Sequence, residues 1–168
     1  HAHDYDEWEA NGAAGWNYQS CLPYFKKLES HECVASEYAG SDGPVSVSGG
    51  NNMRNPLYRA FIDAGVDAGY AETDDYNGFR QEGFGQKFMT VDRGVRASTS
   101  HAYLDTAKKR SNLTLLKHAL VTKVVFDHKT ATGIQCEVRG TMQTFDARRE
   151  VILCAGAIGS PHLLQVSG

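Results

Sequence analysis

The stretch that decides the reading is Val151–Gly168, VILCAGAIGSPHLLQVSG. Preceded by Glu150, its opening EVILCAG is a continuous apolar run. That is the pattern of an inner strand covered on both faces, not of a half-exposed one. Ala155 and Gly156 follow. Neither has bulk, so a ligand can approach the backbone there. Ser160 then reads as a helix N-cap, with Pro161 at the first helical position. A helix N-terminus offers free N–H groups and partial positive charge, which favour a phosphate. A strand, a glycine turn and a helix start hold many nucleotide cofactors. Taken alone, the stretch reads first as a plain strand–helix connection.

Immediately upstream the period is two. LTLLKHALVTKVVFD is strand-like, GIQCEVR sets Ile134, Cys136 and Val138 against Gln135, Glu137 and Arg139, and QTFDA is a short third run. Turns at DHKTATG and RGTM make this an antiparallel meander. The first hundred residues differ in character. Asn17–Ser30 carries Leu22, Phe25 and Leu28 at helical spacing, with Asn17 as cap and Pro23 marking where the helix proper begins. A loop with a short strand at Val45–Val47 follows. NPLYRAFIDAGVDAGY is a helix capped by Asn55, with Pro56 in its first turn, Leu57, Phe61, Ala64, Gly65 and Ala68 on one face, and Gly69 at its end. ETDDYNGFRQEGFGQKFMTVDRG is a long glycine-rich loop. STSHAYLDTAKKR is a second helix capped by Ser98 or Thr99, its Lys108, Lys109 and Arg110 suited to the C-terminal dipole.

The bulk numbers exclude several classes. The 168 residues are 41% apolar and 22% charged, with net charge −3. This is ordinary globular composition, and the scattered basic residues offer no steering patch for nucleic acid. No apolar run approaches the ~18–20 residues needed to cross a bilayer. The polar, acidic first ten residues lack a starting Met and fit a processed or partial chain. Cys21, Cys33, Cys136 and Cys154 form no CxxC pair. They read as reduced thiols of a cytosolic-type protein, with no zinc-ligand spacing.

GAIGSPHLLQVSG resembles the second signature of the glucose–methanol–choline (GMC) flavin oxidoreductases, matching it at Gly156, Ser160, Pro161, Leu163, Leu164, Ser167 and Gly168. DYDEW, GWNYQSCLPYFKKLE, GPVSVS, AGVDAGY, TDDYNGFRQEGFG, GVRASTSHAYLDTAKKRSNLTLL and REVILCAGAIGSP resemble the same family in order, so the resemblance covers essentially the whole chain. DDYNGFRQEGFG and LCAGAIGSP look closest to its choline dehydrogenase branch. The implied fold is an α/β fragment with α+β character: helices and loops of a substrate-side region over residues 1–99, then part of the FAD-binding domain over 100–168, with a helix, the meander and the strand–turn–helix. The family's GxGxxG and its catalytic His fall outside this chain, so the resemblance implies an internal segment of a larger enzyme, cytoplasmic or peripheral to the inner membrane.

Carried over residue by residue, the resemblance makes Val121 the strand valine whose backbone contacts the FAD adenine. It makes Ala155 and Gly156 the small residues beside the adenosine part. It implies no catalytic residue and no metal ligand in this chain. Gly94, Arg96, Ser98 and Thr99 match a family segment read as structural. His118 reads as a packed or solvated strand residue. His101, near Ser98 and Ser100, lies in a helix start with no acid partner in evidence, so a nucleophile pair is not expected. Asp74, Asp75 and Glu82 read as loop solvation or caps.

Two functions follow. The first is part of an FAD-dependent oxidoreductase taking a primary, choline-like alcohol to its aldehyde, with a small-molecule substrate and an electron acceptor as partners. The second is an isolated scaffold that binds no cofactor and self-associates through bare sheet edge and apolar surface. A nicotinamide enzyme is weaker, because no GxGxxG with a following acidic residue is present.

Overall fold

The computed structural model describes residues 1–50 and 52–168. They mix helix and sheet and gather into two compact units, His1–Leu113 and Thr114–Gly168.

In the first unit, α1 (Ala2–Ala10) and α2 (Tyr18–Leu28) meet through aromatic edges, Tyr5 lying 5.5 Å from Phe25 in a T-shaped pair. The Asn17 side chain accepts from the Ser20 N–H, so α2 begins at Tyr18. This corrects the expected start near Pro23. The cap secures the turn upstream, and Pro23 sits inside the helix, removing one backbone donor there. A short parallel pair, β1 (Glu29–His31) with β2 (Val45–Val47), follows. A 3₁₀ turn at Asn52–Arg54 leads into α3 (Pro56–Asp67), capped by Asn55 through the Leu57 N–H at 3.0 Å. Its C-terminus closes with Tyr70 N–H on the Gly65 carbonyl and Gly69 N–H on that of Val66, the paired bonds of a Schellman ending.

The buried face of α3 is only partly the expected one. Ile62 and Gly65 are buried, whereas Leu57 and Phe61 stand exposed. The Phe84 ring lies over Gly65, where a Cβ would meet it. Gly65, one of the residues expected on this face, is thus the seat of the ring, and Phe61 meets the same ring from the exposed side at 5.3 Å. The remaining core holds Val45, Phe88 and Ala97, and Phe88 contacts His31 edge-on at 4.5 Å and stacks on Tyr76 at 5.5 Å. The long loop stays a loop, pinned by the Ser48↔Met89 and Glu72↔Phe84 bridges and by the hairpin β3 (Val91–Asp92) with β4 (Val95–Arg96). The second helix opens with a π-helical turn, Ser100–Leu104, before the short α4 (Asp105–Ala107).

The second unit is the meander, β5 (Ala119–Asp127), β6 (Thr130–Val138) and β7 (Thr141–Asp146), in the order β5-β6-β7, all antiparallel. Arg139 and Gly140 both take positive φ in the β6–β7 turn, the type I′ geometry that suits a two-residue hairpin. Val124, Cys136 and Val138 form the core, and α5 (Gly156–Ser167) packs on β5.

The closing stretch departs from expectation twice. Residues 151–154 form no strand, and Ile152 is 73% exposed. A strand exists through its ladder, and no strand among the described residues lies beside this one. The helix also starts earlier. Ala155 is its N-cap residue, and Ser160 and Pro161 lie inside it. Ser160 Oγ instead accepts from the Ala155 N–H at 3.0 Å, satisfying from within the helix a donor that would otherwise be orphaned.

Candidate functional site

The site grows from the free edge of β5. Its pairing with β6 slips between Val121 and Lys123: Val121 faces Cys136 and Lys123 faces Gln135, so Thr122 is the extra residue of a β-bulge. A bulge re-aims the backbone on either side of it. At Val124 the N–H points away from β6, because it donates to Ser167 Oγ on α5 at 2.9 Å. Alternation along β6 fixes the direction at Val121 as well. The Thr132 carbonyl serves β7, accepting from Ala147 N–H at 2.8 Å. Counting along β6, Ile134 and Cys136 therefore also direct their backbone groups toward β7, opposite Phe145 and Gln143. Val121, facing Cys136, then turns its N–H and carbonyl outward. Without the bulge, residues three apart could not both face the edge.

An open hollow of about 490 Å³ reaches from Val121 over the sheet, with Gly133 and Ile134 of β6 and Phe145 of β7 in its lining. Val121, Leu153, Ala155 and Leu163 line it, together with the carboxylates Asp146 and Glu150. The apolar walls suit a flat ring. The two acids disfavour a phosphate and offer acceptors to hydroxyl groups. Gly156 opens α5 at φ +86°, and a Cβ there would meet nothing within 4 Å. Its glycine is required by the left-handed backbone, and the space beside it is free. The Ala155 N–H is committed to Ser160 and is not offered to a ligand.

The structure thus brings Val121 and Ala155 to one hollow, with Gly156 adjacent to Ala155 in the chain and outside the lining. Sequence reasoning missed Thr122, and it named Ser167 only as a match to the family signature, without a role. Ser167 is buried at 7% exposure, and its Oγ donates to the Leu163 carbonyl at 2.5 Å while accepting from Val124 N–H. A serine four residues after a helical carbonyl is the available signal for the first bond. Nothing in the sequence announces the second, across 43 residues.

The remaining candidates lie elsewhere. His101 does have acid partners, contrary to expectation: Nε2 lies 3.5 Å from Asp92 and Nδ1 3.5 Å from Asp105. Hydrogen bonds from Arg93 hold the Asp92 carboxyl below its usual value, and Lys108 does the same for Asp105. Ser98 Oγ accepts from the His101 backbone N–H at 3.3 Å, while both ring nitrogens face carboxylates instead of a hydroxyl. Asp75 caps its own loop, accepting from Asn77 N–H at 2.9 Å. Arg59 bridges Asp63 and Glu72, which holds the Glu72 carboxyl low and raises the guanidinium. Among the described residues, no group of three His, Cys, Asp or Glu could hold a metal ion, and no helix is long and apolar enough to cross a membrane.

The family model described as GMC oxidoreductase matches residues 1–168. The oxygen-dependent choline dehydrogenases of Vibrio vulnificus and Photobacterium profundum are each 57% identical over 169 residues, covering all of this chain and 30% of their own length. The chain therefore spans about a third of the curated relatives it matches. Among solved structures, an FAD-dependent oxidoreductase from Chaetomium thermophilum superposes with TM-score 0.89 at 28% identity, covering 98% of this chain and 31% of that one. Pyridoxine 4-oxidase from Mesorbium loti also gives 0.89 at 28% identity, covering 100% and 33%.

Proposed function

The chain belongs to the GMC oxidoreductase family, and from that premise we propose that it is a segment of an FAD-dependent enzyme oxidising a primary alcohol, choline, to its aldehyde. The relatives' name supports the substrate, and the named neighbour supports the cofactor. The alcohol and an electron acceptor are then the partners, and the enzyme is cytoplasmic or peripheral to the inner membrane. Residues 1–99 are assigned to the substrate side and 100–168 to the FAD side.

The observation that carries the reading is the outward-facing backbone of Val121 beside the hollow shared with Ala155. An N–H and a carbonyl side by side on a strand edge match a ring that presents an acceptor next to an amino group, as adenine does. The hollow fits that end of FAD. Its volume and apolar walls accept the base, Asp146 and Glu150 suit ribose hydroxyls, and the same acids keep the pyrophosphate outside it. When bound, the flavin supplies the hydride acceptor for the alcohol's α-carbon. This chain's residues would bind and orient the adenosine, and the resemblance puts none of them at the reacting carbon. The apolar side chains left bare, Ile152, Ile158 and Phe61 among them, make the isolated chain self-associate.

The test is Val121→Pro in the full-length enzyme, which deletes the edge N–H without adding charge. FAD affinity is expected to fall about tenfold, the worth of one hydrogen bond. Flavin absorbance after dialysis reads the result, and undiminished flavin content would refute this placement. The isolated chain is expected to purify colourless, and bound flavin in it would show that the segment holds a complete site.

A further inference from the structure

We propose that Ser167 is a positioning residue for the cofactor: its hydroxyl clamps α5 to the edge of β5 and thereby sets the width of the adenosine hollow and its contact with Val121. The inference rests on the reading above and deepens it. Three observations carry it. Ser167 Oγ is a buried bridge, donating to Leu163 carbonyl on the helix and accepting from Val124 N–H on the strand. Both bridged elements wall the hollow, through Leu163 and Val121. The bridge also closes the edge selectively. The bulge at Thr122 turns both Val121 and Val124 outward, and Ser167 occupies the second, so that Val121 is left as the open pairing position next to the hollow.

A hydroxyl is the group this role needs. It donates and accepts at once, so it satisfies a helix carbonyl and a strand N–H across one contact. A methyl in its place leaves the Val124 N–H buried without an acceptor, which drives the helix and strand apart or admits water. Either change widens the hollow at Leu163 while leaving the rest of the sheet paired.

The experiment compares Ser167→Ala with wild type in the full-length apoenzyme, titrated with FAD and, separately, with FMN, which lacks the adenosine. Loss of the bridge is expected to weaken FAD about tenfold and leave FMN affinity unchanged. Amide exchange at Val124 is expected to accelerate by a similar factor. A general loss of folding would lower both affinities together, so the FAD-to-FMN ratio separates positioning from stability. Ser167→Thr, which keeps the hydroxyl, is expected to restore the ratio. If Ser167→Ala does not accumulate as folded protein, Ser167→Cys, with a weaker donor and acceptor, must shift the ratio in the same direction. An unchanged ratio together with faster Val124 exchange overturns the proposal. Val121→Pro distinguishes the two claims: if it lowers the ratio and Ser167→Ala does not, only the role of Ser167 fails. If neither lowers it, adenosine does not lie at this edge.

Discussion

The meander and the stretch that follows it make opposite use of equally apolar sequence. In β5–β7 each strand finds its partner across a two-residue turn, and Val124 and Cys136 are almost fully buried, at 2% and 1% exposure. Residues 151–154 are as hydrophobic, yet they form no ladder and leave Ile152 exposed. Hairpin partners lie close in sequence, so their pairing costs little loop entropy and is complete within the unit. An inner strand buried on both faces needs neighbours brought from far along a chain. The first region completes its pairing within the unit, and the second presents a surface.

The strongest way to break this contrast is to put the same charge in both places. Val124→Asp is expected to cost the isolated chain about 3–5 kcal/mol or more, through a buried unpaired carboxylate. Ile152→Asp should stay within about 0.5 kcal/mol. Urea denaturation followed by circular dichroism reads both, and equal losses would remove the distinction. In the full-length enzyme the Ile152 substitution is expected to become costly, because the inner-strand pattern is then paired.

Gly133→Ala sharpens the account of the meander. A Cβ at that position runs into the Phe145 carbonyl of β7, and forcing the strands apart is expected to cost about 1–3 kcal/mol. Asn55→Ala tests another locally completed element. Loss of the cap on Leu57 N–H should cost about 1 kcal/mol, and Asn55→Ser should recover most of it. The cost should be the same in the isolated chain and in the full-length enzyme, unlike that at Ile152.

The smallest expected effect is electrostatic. Arg59 holds the folded-state Glu72 carboxyl below its ordinary value of 4.5. A depressed carboxyl contributes stability that is fully present above the unfolded value and lost as pH falls through the folded one. Because the pair is solvent-exposed, the loss should be slight. Melting curves of wild type and Glu72→Gln should run parallel at neutral pH and converge below pH 4.5. Curves that stay parallel throughout would show that the ion pair contributes nothing.

Much of this was legible in the sequence. Period-two alternation and turn residues identified all three strands of the meander, and Asn17 and Asn55 marked their helix starts, because these signals act over a few neighbouring residues. On α3 Gly65 was read on the buried face and is buried, but Leu57 and Phe61 of the same stripe are exposed, since apolar spacing does not show how far along a helix its packing partner extends. Ser160 and Pro161 were misread as a helix start, since the same residues are compatible with a helix interior once Ser160 turns back to Ala155.

For the candidate site, the sequence alone supplied residue types: a strand valine at 121, a bulk-free pair at 155 and 156, and the resemblance that linked them. What only the tertiary structure decided is direction. Whether the Val121 backbone faces β6 or the open edge depends on one extra residue at Thr122, and how far that edge is closed depends on a hydroxyl 43 residues from the amide it meets. Side-chain periodicity is a local property of the chain. Backbone orientation at an edge and a bridge between helix and strand exist only once distant segments have been placed together.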